Sequence, residues 1–414
     1  MIPTWKKYKL DEITDYINRG VSPSYANTGI PVINQKCIRE GQVLKNDIKF
    51  HDREKRKISD EKILQDFDIL ICSTGTGTLG RVGQLKEITD TQICDSHVTI
   101  VRPGKLTDKK FLGWYLRYLQ PAIESLAEGS TGQTELGRDK VKNLEILLPP
   151  LPEQIAIAEI LSSLDDKIEL NLQTNKTLEE MANALYKHWF VDFGPFKNGK
   201  FVESELGMIP EGFNVLSLND VCFNHSKTFN FKNTERVIFI NTGDILEGKF
   251  LHKNYSDVEG LPGQAKKVIE PNDILFSEIR PGNKRYALIN FDASEYVVST
   301  KFMVIRAKEN ILPRILYRIL RDDLIIKEFQ NIAESRSGTF PQITFDAINH
   351  LNFVMADNEV QNKFMQNVLP LENLIESNNL ETEKLKQTRD YLLPKLISGE
   401  IRVKQAAKTV KEIL

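Results

Sequence analysis

The chain contains itself twice. Residues 1–190 and 210–397 run in parallel at a shift of about 206 positions. Ile33-Asn34 followed by Glu40-Gly41 returns as Ile240-Asn241 followed by Glu247-Gly248, and Asp68-Ile69-Leu70 returns as Asp273-Ile274-Leu275. Ala127-Glu128 with Gly132 returns as Ala333-Glu334 with Gly338, and Ile168-Glu169 with Asn171 returns as Ile375-Glu376 with Asn378. The shift drifts from 204 (Arg102 to Arg306) to 207 (Ile168 to Ile375), as small loop insertions produce. Solenoid repeats have periods of roughly 20–50 residues, so this period is not of that kind. It implies two domains of one design in one chain, related by a pseudo-twofold axis. Such a molecule suits the reading of two halves of something long.

Each copy opens with about 145 residues of mixed character. In copy one, short β-rich runs at Ile30–Asn34, Asp68–Cys72, His97–Val101 and Asn143–Leu148 are separated by polar, Gly-bearing loops. Copy two repeats them at Val237–Asn241, Asp273–Phe276, Lys301–Ile305 and Asn349–Val354. One helix stands out in each copy, Asp108–Ala127 and Leu312–Ala333, with Leu112, Leu116 and Leu119 at helical spacing in the first. Strands and helices do not alternate regularly, so the expected class is α+β with a mixed or antiparallel sheet.

The second part of each copy is one long helix. Pro149-Pro150-Leu151-Pro152 stops the preceding strand, and Pro152 suits a helix start. Ile157, Leu161, Leu164, Ile168, Asn171, Asn175, Leu178, Ala182, Leu185 and Trp189 then follow a strict 4-3 spacing, which is a heptad seam. Copy two gives Phe364, Val368, Leu371, Ile375, Asn378, Thr382, Leu385, Arg389, Leu392 and Leu396. Roughly 38 residues at about 1.5 Å each span on the order of 57 Å, too far for one domain to cover. The two helices are therefore expected to pack on each other as an antiparallel coiled coil. Asn171 and Asn378 are equivalent by the repeat and fall near its midpoint. A buried seam asparagine fixes register; an exposed pair would be merely polar.

The expected segments are a globular domain at 1–150, a helix at 151–192, a connector and second domain at 193–356, a helix at 357–398 and a tail at 399–414. Val191–Glu203 reads as a turn-rich connector, and Ser398–Val403 as a short return before a polar tail.

At 41% hydrophobic and 27% charged, with a net charge of −2, the chain is neither disordered nor a non-specific DNA coat. Local basic loops remain open to it. Cys37, Cys72, Cys94 and Cys222 have no CxxC spacing and are not preserved by the repeat, which points to reduced thiols rather than zinc or disulfides. No signal peptide opens the chain and no apolar run reaches the roughly 18 residues of a membrane span. The expectation is a cytoplasmic protein without membrane contact.

Catalytic and metal constellations are missing. Gly75-Thr-Gly77-Thr-Leu-Gly80 matches GxGxxG, with Asp95 twenty residues on. A dinucleotide loop opens a helix at its last glycine, whereas Arg81-Val-Gly83-Gln reads as turn and strand. Its twin, Ser277-Glu-Ile-Arg280-Pro-Gly-Asn-Lys284-Arg285, has dropped the fingerprint. No nuclease, Walker or amino-methyltransferase pattern is convincing, and His97 and His225 read as ordinary surface or satisfied polar residues. The work of the chain is therefore binding.

Two polar, Gly-bearing loops shared by both copies are the candidate contact surfaces. One supplies Ser73, Thr74, Thr76 and Arg81, matched by Arg280, Asn283, Lys284 and Arg285. The other supplies Ser130, Thr131 and Gln133, matched by Arg336, Ser337 and Thr339. Such side chains suit base edges and phosphates, and bidentate Arg to guanine is the commonest specific contact. Lys55-Arg56-Lys57 reads as a solvated charge run.

Four segments carry a family resemblance. They are Leu147-Leu-Pro-Pro-Leu-Pro-Glu-Gln-Ile155, Leu185-Tyr-Lys-His-Trp-Phe-Val-Asp-Phe193, Gly207-Met-Ile-Pro-Glu-Gly-Phe213 and Leu393-Pro-Lys-Leu-Ile-Ser-Gly-Glu-Ile401. Together they resemble the specificity subunits of type I restriction–modification systems, across the whole chain and in the family's order. Copy two departs at Met355-Ala-Asp-Asn-Glu-Val360, where the family has a Pro-rich element and Glu-Gln.

The resemblance implies two target-recognition domains, each reading half of a split double-stranded DNA site through the major groove, and paired helices that set the gap. It also implies docking of two copies of a modification subunit, which brings S-adenosylmethionine and methylates adenine, and a restriction/translocase subunit that uses ATP and Mg. No cofactor is implied for this chain itself, which would be a non-catalytic subunit. Two other classes remain: a coiled-coil adaptor with two protein-binding domains, or the specificity subunit of a related methylation-plus-cleavage system.

Overall fold

A computed structural model describes residues 5–45, 47–128 and 134–413. The chain forms two compact units, Met1–Asn175 with Glu376–Leu414, and Lys176–Ile375. These units do not follow the sequence segments, because the division falls inside both long helices.

In the first unit a six-stranded sheet has the order Thr14–Arg19, Val98–Pro103, Ile69–Cys72, Val82–Gln84, Gly41–Val43, Ile38–Arg39. All its neighbours are antiparallel except Gly41–Val43 beside Val82–Gln84. A four-stranded sheet orders Ile93–Cys94, Ile30–Ile33, Lys49–His51 and Tyr25–Ala26, with only the first pair parallel. The second unit repeats the plan. One sheet orders Cys222–Asn224, Phe302–Ala307, Ile274–Ser277 and Tyr286–Leu288. The other orders Tyr255–Asp257, Arg236–Ile240, Tyr296–Ser299 and Ala265–Lys267, with Arg236–Ile240 and Tyr296–Ser299 parallel.

The apolar strand runs follow from burial on both faces. Side chains alternate across a sheet. Ile69 and Ile71 enter the core that the helices cover, while Leu70 and Cys72 enter a second core on the opposite face. Ile274 and Phe276 in one core, and Leu275 in the other, repeat this in the second unit. The Asp repeated before each run also has a physical role. Asp68 is fully buried and takes a bidentate pair from Arg102 Nε and Nη2, both at 2.8 Å. Asp273, also fully buried, takes Arg306 Nε at 2.7 Å and Nη2 at 2.9 Å.

Three expectations are corrected. The helix read as Asp108–Ala127 is two, Lys109–Tyr118 and Gln120–Ser125, because Pro121 sits in the first turn of a new helix and has no N–H to continue the old one. Leu312–Ala333 is likewise two, Pro313–Leu320 and Asp323–Arg336, the second started by the Asp322 carboxylate accepting from Leu324 N at 2.9 Å. The polar tail contains a helix, Val403–Lys411, whose Ala406 and Val410 are buried in the core of the first unit.

The long helices are Leu151–Phe190 and Asn358–Ile397, 40 residues each. Within the first unit, Ile157, Leu161, Leu164 and Ile168 share a core with Leu385, Leu392 and Leu396. Asp165 meets Arg389 and Asn171 meets Glu381, so these stretches run antiparallel. In the second unit, Phe364 packs edge-on against Trp189 and Phe190, with centroids at 5.9 and 4.9 Å.

The two equivalent asparagines meet in the first unit. Asn171, 3% exposed, donates from Nδ2 to Glu381 Oε2 at 2.7 Å and lies 3.5 Å from the Asn378 carbonyl. Asn378 Nδ2 donates to Asn175 Oδ1 at 2.8 Å, and Asn175 Nδ2 to Asn379 Oδ1 at 3.0 Å. A hydrophobic seam thus carries a hydrogen-bonded polar layer, buried at Asn171 and half-buried at Asn175 and Asn378, which penalises any slip that would strand its donors.

Candidate nucleic-acid interface

In each copy the strand that follows the buried Asp ends in a loop, and a second segment lies against it: Glu135 and Leu136, just after the second candidate loop, in copy one, and the end of that loop in copy two. In copy one, Ser73 O accepts from Leu136 N at 2.9 Å and Thr74 bridges Glu135. In copy two, Glu278 O accepts from Ile343 N at 2.8 Å, Pro341 O accepts from Arg280 N at 3.0 Å, and Ile279 bridges Gln342. In copy two the two loops named from sequence therefore form one surface; in copy one the residues that follow the second loop, Glu135 and Leu136, take the equivalent place.

A third loop joins them. Its repeated Asn34 and Asn241 cap a short turn, accepting from Lys36 N at 2.9 Å and Thr242 N at 2.8 Å. The residues just after those caps reach the candidate loop. Gln35 Nε2 donates to Thr74 Oγ1 at 2.9 Å, and Gln35 Oε1 accepts from Thr78 Oγ1 at 2.9 Å. In copy two, Thr242 O accepts from Arg285 Nη1 at 2.8 Å. In the sequence the recurring Ile-Asn marks the duplication and does not by itself point to the residues that follow it. A fixed cap followed by a variable residue was the available signal for Gln35 and Thr242.

The copy-one loop is a braced turn. Gly80, at φ +81°, lets the chain pass the helix Gln120–Ser125, where an added Cβ would lie 2.9 Å from Glu124 Cα. The strand Val82–Gln84 then pairs back antiparallel on Ile69–Cys72, so no helix opens at the last glycine. Ser73 is corrected from contact to support: it is fully buried, with its hydroxyl 2.6 Å from Thr99 Oγ1. Thr74 is half-buried and tied to His97 Nδ1 at 2.8 Å as well as to Gln35. Thr76 is exposed at the tip. The half-buried Arg81 side chain has no hydrogen bond or ion pair among the described residues. Ser130, Thr131 and Gln133 lie outside the described residues. His225, expected to be an ordinary surface or satisfied polar residue, is half-buried, and its Nε2 is without a hydrogen-bond partner among the described residues.

The copy-two loop is held on three sides. Gly282 N donates to Gln330 Oε1 on the helix Asp323–Arg336 at 2.9 Å. Lys284 Nζ reaches Asp323 Oδ1 at 2.8 Å, and that hydrogen bond raises its ammonium above the ordinary lysine value. Arg280 and Lys284 both adopt left-handed backbone, at φ +46° and +54°. Non-glycine residues hold that conformation only where their surroundings enforce it, and such strain clusters at ligand sites. Arg280 and Asn283 are exposed, while Lys284 and Arg285 are engaged by Asp323 and Thr242. Arg336 ends its helix in solvent, followed by exposed Ser337 and Thr339. A pocket of about 260 Å³ opens among Thr242, Gly243, Ile279, Arg280, Asn283, Arg285 and Phe340. The sequence does not mark Gly243, and Phe340 lies inside the candidate loop 335–342 without being singled out as a contact. Among the described residues no group of three His, Cys, Asp or Glu could hold a metal, and no described helix is long and apolar enough to cross a membrane.

Residues 3–180 and 210–387 each match the family model described as type I restriction modification DNA specificity domain. The HindI specificity subunit of Haemophilus influenzae is 50% identical over 177 residues, 42% of this chain and 39% of that relative. The MjaIX specificity subunit of Methanocaldococcus jannaschii is 26% identical over 422 residues, covering 97% of this chain and 94% of that one. A solved structure described as the type I restriction–modification system S subunit from M. genitalium has a TM-score of 0.60 at 17% identity over 95% of this chain and 96% of its own, which supports the fold. With two matches covering most of its length, the chain belongs to the type I restriction modification DNA specificity domain family, and carries that domain twice.

Proposed function

We propose that the chain is the DNA-reading specificity subunit of a type I restriction–modification complex. It recognises an asymmetric, two-part duplex site, one part with each copy. Partners carry out the chemistry: two modification subunits that bring S-adenosylmethionine and methylate adenine, and a translocase subunit that uses ATP and Mg to cleave. The chain itself is non-catalytic and acts in the cytoplasm. The observation that supports this most is the contrast between frame and surface. In both copies the turn after the Asn cap meets the loop at the same strand end, while the side chains there differ: Gln35, Thr76 and Arg81 in one, Thr242, Arg280 and Asn283 in the other. Protein reads bases in the major groove through such side chains, and phosphate contacts carry affinity without sequence. A net charge of −2 fits a subunit that shares phosphate neutralisation with partners.

The test is selection from a random duplex library by the full chain with its modification partner. The proposal expects enrichment of two short fixed words separated by unspecified bases. Retention of all duplexes alike, or of none, would favour a protein adaptor.

A further inference from the structure

We propose that Phe340 is a base reader of copy two: its ring packs on the 5-methyl group of a thymine in the major groove, beside the base contact of Arg280. The inference rests on the DNA-reading role proposed above and names a residue and base feature for it. Phe340 is 51% exposed at the end of the exposed polar run Ser335–Thr339. An exposed phenyl ring in such a run has no solvation reason to be there. Nor is it on a loose tip. Phe340 N donates to Ser337 Oγ at 3.2 Å, the next residue, Pro341, is buried and accepts from Arg280 N at 3.0 Å, and Gln342 Nε2 donates to Glu278 Oε2 at 2.8 Å. The ring and Arg280 thus border one pocket on a shared, hydrogen-bonded mount.

The chemistry narrows the ligand. Of the features bases show in the major groove, the thymine methyl is the apolar one, and Phe is among the side chains that meet it, whereas Arg meets guanine O6 and N7. A ring and an exposed guanidinium on one mount suit adjacent thymine and guanine. At the matching place copy one has Gln133-Thr134, both polar, so this readout belongs to one half-site only.

The experiment replaces each thymine of the copy-two half-site, one at a time, by deoxyuridine, which removes only the methyl. Binding is measured for the full chain with its modification partner, unaltered and as Phe340→Ala and Phe340→Leu. One position should bind about fourfold more weakly to the unaltered chain, the value of one buried methyl group. The thymine-to-uracil ratio at that position should fall to about one in Phe340→Ala and be partly kept in Phe340→Leu. Specific binding with no uracil-sensitive position, a half-site without thymine, or equal sensitivity in unaltered chain and Phe340→Ala would overturn the inference. So would an affinity loss in Phe340→Ala that is equal for thymine and uracil, which marks a stacking wedge. If the unaltered chain shows no sequence preference, the DNA-reading role fails first.

Discussion

At the scale of residues, Asp165 neutralises two arginines at once. It accepts from Arg117 Nη1 at 3.0 Å and from Arg389 Nη1 at 2.6 Å, and all three side chains are largely buried. The repeat places Glu372 at the equivalent point of the second unit, where it accepts from Arg314 and Arg318, both at 2.5 Å. Each unit thus ties a domain helix to a long helix with a carboxylate between two guanidiniums. Asp165→Asn leaves the buried Arg117 without its paired carboxylate and Arg389 with only the exposed Asp390, and breaking such a pair is worth about 3–5 kcal/mol. The expected result is a fall of the thermal midpoint on the order of 10 °C, with recovery in Asp165→Glu. At the reading surface, Arg280→Ala or Arg336→Ala should relax selectivity in one half-site by about 1–3 kcal/mol if the contact is to a base. A loss uniform across sequences, with a shallower salt dependence, would show a phosphate contact instead. Lys284→Ala acts differently, because its ammonium is already held by Asp323; it should loosen the turn and weaken binding without redirecting it.

At the scale of elements, what was legible in the sequence depended on how local its cause was. Ile69–Cys72 and Ile274–Ser277 were legible because burial on both faces leaves unbroken apolar runs. The long helices were legible because their seam repeats from Ile157 to Trp189 and from Phe364 to Leu396. The helix Val403–Lys411 was not, since only Val403, Ala406 and Val410 mark its inner face within a polar stretch. Ser73 looked like a contact because type and loop position say nothing of burial; its partner Thr99 is 26 residues away. Gln35 and Phe340 enter the site through contacts that only the folded sheet creates. Two element-level results follow. Removing residues 403–414 should destabilise the first unit by about 2–3 kcal/mol through exposure of its apolar partners, visible as a lowered unfolding midpoint. Replacing Asn171 and Asn378 together by Leu should raise that midpoint while admitting more than one helix register, detectable as several cross-linked species when cysteines are placed along both helices. A single species would show that register is set elsewhere.

At the scale of the whole molecule, the duplication acquires a division of labour. Asp68 and Asp273, the Asn34 and Asn241 caps, and the heptad seams are kept, while the residues at the converging loops have diverged. A molecule built so is expected to be modular. Exchanging residues 1–150 for another domain of the family should change one half of the recognised site and leave the other intact; a change in both would refute modularity. Inserting one heptad into each long helix should lengthen the tolerated gap between the halves, whereas an unchanged gap would remove the helices from that role. The most direct measurement is a genome-wide map of methylated adenines, by single-molecule sequencing, in cells carrying this chain with its modification partner. One asymmetric motif of two fixed words at a constant gap is expected, with methylated adenine in each word. A contiguous motif, a symmetric one, or methylation unchanged when this chain is absent would contradict it.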